Sequence, residues 1–173
     1  MNTKEPPVVY HLRVKLKFDK RTYRDILIRS NQSFDQLHGI IFTAFDRYDE
    51  HLYRFSINQS EADFPVDMEP LRLLFKQMGC KVPARRKAEP IRVESPECCD
   101  GYNENGLNAE HTTLSRFQLK PKQKFEYLFD FGDEWRHEIE VIGIVPIETG
   151  TKYPRIIKVN GKSPDQYPDP DDE

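Results

Sequence analysis

The stretch Lys124-Phe-Glu-Tyr-Leu-Phe-Asp-Phe-Gly-Asp-Glu-Trp-Arg-His-Glu-Ile-Glu-Val-Ile-Gly-Ile-Val145 decides the reading of this chain. Phe125, Tyr127 and Phe129 alternate on a first arm, and Trp135, His137, Ile139 and Val141 share one face of a second. Period two on both sides of a short polar break is the pattern of a β-hairpin with one buried face. The break holds Asp130, Gly132 and Asp133. Aspartate carboxylates bond nearby backbone N–H groups, and glycine tolerates positive φ. The expectation is therefore a turn, with Gly132 supplying the unusual backbone and Trp135 packed in the core.

Working outward, residues 8–18 alternate in the same way, with Tyr10, Leu12, Val14, Leu16 and Phe18 opposite His11, Arg13, Lys15 and Lys17. After a turn at 19–21, residues 22–30 predict a second, antiparallel strand. Ser33 with Gln36 forms a capping box. Phe34, Leu37, Ile40, Ile41, Ala44 and Phe45 then give a helical stripe. Residues 51–58 predict another strand and "PRIIKV" a last short one. Leu71, Leu74, Phe75 and Met78 predict a second helix over 68–79, closed by Gly79. Residues 80–110 carry no defensible period, and "TTLSRF" reads as a single helical turn. The fold class expected is α+β: one domain over 1–160 with an irregular insertion at 80–110. Its sheet would have about five or six mostly antiparallel, possibly mixed, strands packed by two main helices. An acidic, Pro-rich tail at 161–173 would follow.

The chain has 173 residues, 32% of them charged, and a formal net charge of −3, which argues against a protein wrapped throughout in nucleic acid. Three cysteines, Cys80, Cys98 and Cys99, fit no disulfide framework. No apolar run reaches the roughly 20 residues a membrane span needs. The N-terminal stretch lacks a signal-peptide core. The expectation is a cytoplasmic protein without membrane contact, with an unknown protein or nucleic acid as partner.

Together the segments "YHLRVKL", "YRDILIRSNQSFDQLHGIIFTAF", "DEHLYRF", "FEYLFDFGDEWRHEIEV" and "YPRIIKVNGKSP" resemble the plasmid pRiA4b ORF-3-like family over most of 8–60 and 112–164. The family's pattern "YDFGDxWxHxIxV" is matched by Phe129–Val141, with Phe129 in the tyrosine's place. The resemblance implies an α+β domain without an established activity, some members being described as resolvase-like passengers of insertion elements. A serine nucleophile beside an arginine cluster, which a serine recombinase needs, cannot be assigned here.

Three chemistries stand beside their structural alternatives. Asp130, Asp133 and His137, with Asp49 and His51 ahead of a neighbouring strand, are ligand types for a divalent metal. A metal-dependent hydrolase would use His51, Asp130, Asp133 and His137, although their spacing matches no known ligand pattern. No cofactor is otherwise expected. A nucleic-acid face could use Arg13, Lys15, Lys17, Arg85 and Arg86, with Lys20, Arg21, Arg24 and Lys87 as extensions. The alternative is an outward strand face matched by acids. Cys80, Cys98, Cys99 and His111 make a nominal zinc set, but adjacent cysteines ligate one ion poorly. The preferred reading is a non-catalytic binding or accessory module associated with mobile DNA; the hydrolase is the alternative.

Overall fold

The computed structural model describes residues 6–58, 77–78, 89–98 and 106–167. The order of elements is β1 (Val9–Leu16), β2 (Tyr23–Arg29), α1 (Phe34–Ala44), β3 (Tyr53–Ile57), β4 (Ile91–Glu94), β5 (Gly106–Asn108), β6 (Lys124–Phe129), β7 (Trp135–Val145) and β8 (Arg155–Asn160). The strands form one sheet in the order β5-β4-β3-β6-β7-β1-β2-β8. Every pairing is antiparallel except β4 with β5, which is parallel.

The inner face follows from the period-two pattern. Tyr10, Leu12, Val14 and Leu16 of β1, Phe125, Tyr127 and Phe129 of β6, and Trp135, His137, Ile139 and Val141 of β7 are all buried. Helix α1 lies on them. Its capping box is complete: the Ser33 side chain accepts from Gln36 N, and the Gln36 side chain accepts from Ser33 N. The N–H groups of Phe34 and Asp35 go to the carbonyls of Thr112 and Ala109, so the start of the helix is tied to the loop before β6. Phe34 packs on Phe55 of β3, and Phe45, just past the helix, packs on His137 of β7. Arg24 of β2 is 1% exposed and donates Nε to Ala44 O at 2.6 Å and Nη1 to the carbonyls of Tyr23, Asn160 and Gly161. A cation at the C-terminal end of a helix offsets its dipole. Arg24 thus joins α1, β2 and the end of β8, and it is no part of an outer basic patch.

The chain continues past β8 as a strap. Ser163 Oγ donates to Phe45 O, Arg47 Nη1 donates to Pro164 O, and the Gln166 amide accepts from Tyr48 N and Asp49 N while donating to Asp49 O. The residues read as tail from 161 are therefore docked as far as Tyr167, and this strap pins the loop between α1 and β3.

The expectation of five or six strands and two main helices is corrected. The sheet has eight strands, and one α-helix of 11 residues is present among the described residues. The six expected strands are all there. The two additions, β4 and β5, fall inside 80–110 and have four and three residues, too few to establish a period. The helix expected over 68–79 lies outside the described residues apart from Gln77 and Met78. The fold is mainly β rather than α+β. Among the described residues no helix is long and apolar enough to cross a membrane.

The outer face of the sheet is finished by ion pairs between neighbouring strands. Arg13 holds Asp25 with both Nε (2.7 Å) and Nη2 (2.8 Å). Lys15 meets Glu140 at 2.8 Å, Lys17 meets Glu126 at 2.6 Å, and Lys124 meets Glu138 at 3.1 Å. Burial pushes the Asp25 carboxyl up, but the hydrogen bond and charge of Arg13, with His11 beside them, outweigh it and hold the group below the usual range. A depressed carboxyl contributes stability that is present above its unfolded value near pH 4 and lost as pH falls through the folded value. Asp25→Asn is expected to cost about 1–3 kcal/mol at pH 7. It should also flatten the loss of urea stability between pH 5 and pH 2.5; an unchanged acid limb would contradict the pairing.

Candidate functional site

A groove of about 630 Å³ opens between the first half of α1, the chain entering β3, the turn after β4 and Glu110. Tyr53, the first residue of β3, forms part of its floor and donates its hydroxyl to Asp35 Oδ1 at 2.6 Å. The His38 ring stacks on Tyr53 with centroids 3.7 Å apart and planes 5° from parallel. Phe42, one helical turn on, continues the aromatic wall.

His38 Nδ1 lies 2.8 Å from the Tyr127 hydroxyl, which is buried and has no other hydrogen-bond partner among the described residues. The arrangement that leaves no buried donor idle has Tyr127 donating to Nδ1, so the imidazole proton sits on Nε2. Burial pulls His38 down to about 4, with Asp35 and Glu97 countering only part of it. At neutral pH the ring is uncharged and cancels none of the surrounding negative charge.

That negative charge is concentrated. Asp35, Glu50, Glu97 and Glu110 line the groove, and no Lys or Arg does so among the described residues. Glu50, Glu97 and Glu110 are exposed, and none of the four is ion-paired among the described residues, unlike the carboxylates of the outer face.

At the edge of this groove stands His51. Its Nε2 is 2.7 Å from the Tyr167 hydroxyl, 3.5 Å from Asp49 Oδ2 and 3.6 Å from Asp130 Oδ2. Tyr167 also donates to Asp49 at 2.9 Å, and that carboxylate pushes the phenol up to about 12. The strap thus supplies one member of the cluster.

Of the candidates for a metal site, the structure brings together Asp49, His51 and Asp130 and separates the rest. Asp130 is 7% exposed, and its Oδ1 accepts from Gly132 N at 2.8 Å and Asp133 N at 3.3 Å, so it builds the turn. Asp133 contributes its backbone N–H there and turns an exposed side chain outward. His137 lies in the core between Phe45 and Tyr127, its Nδ1 donating to Trp135 O, and burial together with Arg47 takes it down to about 3. Among the described residues no three such side chains are placed to hold a metal. Positive φ falls on Asp130 (57°) and Glu134 (53°), not on Gly132, a correction to the sequence reading. Gly132 instead leaves room beside the carboxylate, since a Cβ there would stand in tight contact, 3.2 Å from Asp130 Oδ1. Trp135 is 8% exposed, with the Arg47 guanidinium 3.7 Å above its ring.

Arg13, Lys15 and Lys17 are engaged in the ion pairs of the outer face. Arg85, Arg86 and Lys87 lie outside the described residues, as do Cys80 and Cys99 of the nominal zinc set. Cys98 accepts a hydrogen bond from Ser95, and His111 sits on an exposed loop. The sequence reading did not single out Asp35, His38, Tyr53, Glu97 or Glu110. One signal was available: His38 falls four residues after Phe34 and four before Phe42, a polar ring on the aromatic edge of the helix.

The model of the plasmid pRiA4b ORF-3-like protein family matches residues 8–167, from β1 to the end of the strap. The chain belongs to this family. The match includes 61–111, which lies outside the stretches that carry the sequence resemblance. A crystal structure of a protein of unknown function from Methanosarcina mazei Go1 is similar in fold. Its TM-score is 0.66 at 18% identity, over 92% of this chain and 73% of that one. No curated protein matches the sequence significantly. Family membership and that likeness place the fold and leave the activity to the site itself.

For the groove, the expected outcome of an NMR titration is a His38 imidazole that protonates near 4, well below the ordinary value near 6.5. Titration near 6.5 would contradict the buried stack.

Proposed function

We propose that this protein is a non-catalytic binding module whose acidic groove receives a cationic segment of a protein partner. One observation carries the reading: carboxylates elsewhere on the sheet are matched by cations, whereas those of the groove face open space without a counterion among the described residues. A lysine ammonium or arginine guanidinium entering there meets Asp35, Glu97 and Glu110 beside the Phe42 ring, to whose face a cation is also attracted. The same field repels phosphate, so an association with mobile DNA would run through a protein rather than through this groove.

Gly39 provides a test that leaves the fold intact. It lines the groove from the middle of α1, and a Cβ added there meets nothing within 4 Å. Gly39→Leu projects a bulky apolar side chain into the groove and improves helix propensity by about 0.5–1 kcal/mol. Calorimetric titration with a lysine-rich peptide at low salt should show saturable binding that weakens with added salt. Glu97→Gln and Glu110→Gln should each weaken it about two- to fivefold, the scale of a partly exposed ion pair. Gly39→Leu should abolish it without lowering the melting temperature. Equal binding by Gly39→Leu, or salt-dependent binding of duplex DNA with none of the peptide, would overturn the reading.

A further inference from the structure

A second pocket, of about 400 Å³, lies at the other end of the sheet between the end of β2 and the loop before β8. Its lining is opposite in sign to that of the groove. Arg29, Asn31, Gln32, Thr151, Lys152 and Tyr153 include two cations and no carboxylate.

The pocket is rigidly built. The Gln32 side chain is 9% exposed; its Oε1 accepts from Arg29 N at 3.0 Å, and its Nε2 donates to Tyr153 O at 2.9 Å. One amide therefore fixes the end of β2 against the loop that carries Tyr153. The Tyr153 hydroxyl in turn accepts from Glu148 N at 3.3 Å. Two guanidinium groups attend the same tyrosine ring, that of Arg29 at 5.1 Å and that of Arg155 at 6.0 Å.

Those guanidinium groups are incompletely used. The Nε atoms of both Arg29 and Arg155 are buried with no hydrogen-bond partner. Arg29 has only a long bond, 3.5 Å, from Nη2 to Thr151 O, and no ion pair among the described residues. Glu148, the carboxylate nearest by its contacts, is already taken by Arg155 Nη2 and Thr151 Oγ1. Lys152 likewise has no ion pair among the described residues. Buried N–H donors without an acceptor are costly, and Arg29, held over the Tyr153 ring with no counterion among the described residues, points to a missing acceptor.

We propose that this pocket binds an oxyanion, the phosphoryl or carboxylate group of a small ligand, with Arg29 as its main donor and Lys152 as the second cation. A guanidinium fork suits either group, because both offer two oxygens at matching separation. The space exceeds that of a bare ion and admits part of the molecule that carries it. The site is independent of the acidic groove and does not rest on the reading given for it.

The test uses the full chain labelled with nitrogen-15 and follows the arginine Nε–H signals. Inorganic phosphate and, separately, acetate are added at constant ionic strength against a chloride reference. The expected result is a saturable shift of the Arg29 signal with at least one of the two oxyanions. Saturation by phosphate alone assigns a phosphoryl ligand, and saturation by acetate assigns a carboxylate. Arg29→Gln should weaken binding, read on the neighbouring backbone amides, by about tenfold or more, the scale of one lost charge-assisted hydrogen bond. Lys152→Gln, an exposed-loop change that leaves Gln32 and Tyr153 untouched, should weaken it about two- to fivefold. Shifts that grow linearly with both anions, or that match chloride, overturn the proposal. So does unaltered binding in a folded Arg29→Gln or in Lys152→Gln.

Discussion

Among the described residues one short helix, α1, covers one face of the eight-stranded sheet, and that constraint shapes the rest of the described molecule. Eleven residues of α-helix extend about 16 Å, and strands stand about 4.8 Å apart, so α1 reaches across roughly three or four of them. Its contacts run from Phe55 of β3 at the N-terminal end to His137 of β7 and Arg24 of β2 at the other. On the opposite face no described helix covers the sheet. There the solution is electrostatic: Arg13, Lys15, Lys17 and Lys124 alternate with Asp25, Glu126, Glu138 and Glu140 across adjacent strands. Pairs of this kind add little stability when exposed. They also place a carboxylate beside each of Arg13 and Lys15 of β1 and Lys17 just past its end.

The hairpin of 124–145, the strands at 9–16 and 23–29, and the capped start of α1 were legible because each is long enough to show its period and has chemistry at its boundary. β4 and β5 were not, because three or four residues carry no period and their place in the sheet is set by pairing with β3 and with each other. The turn was legible as a turn, but its mechanism was not. The backbone strain falls on Asp130 and Glu134, while Gly132 makes room for a carboxylate. That distinction depends on dihedral angles, on which the glycine's identity is silent.

The candidate site was less legible than the fold. Ligand-type residues crowded in sequence at 130–137 separate in space, because alternation along β7 sends His137 inward while the turn spends Asp130 on its own N–H groups. Residues remote in sequence converge instead. Asp35 and His38 of α1, Tyr53 of β3, Glu97 after β4 and Glu110 before β6 meet in one groove. The strap of 161–167 was read as a tail from its composition. Its docking rests on Ser163 and Gln166, two small or neutral residues whose role is visible only in their hydrogen bonds.

The central claim is that the unpaired carboxylates of the groove, and not the paired cations of the outer face, form the working surface. A backbone amide shift map recorded while a lysine-rich peptide is added tests it most directly. The account predicts shifts confined to the first half of α1, the start of β3 and the neighbourhoods of Glu97 and Glu110. Shifts gathered along β1 and β7 on the outer face, with the groove undisturbed, would contradict it.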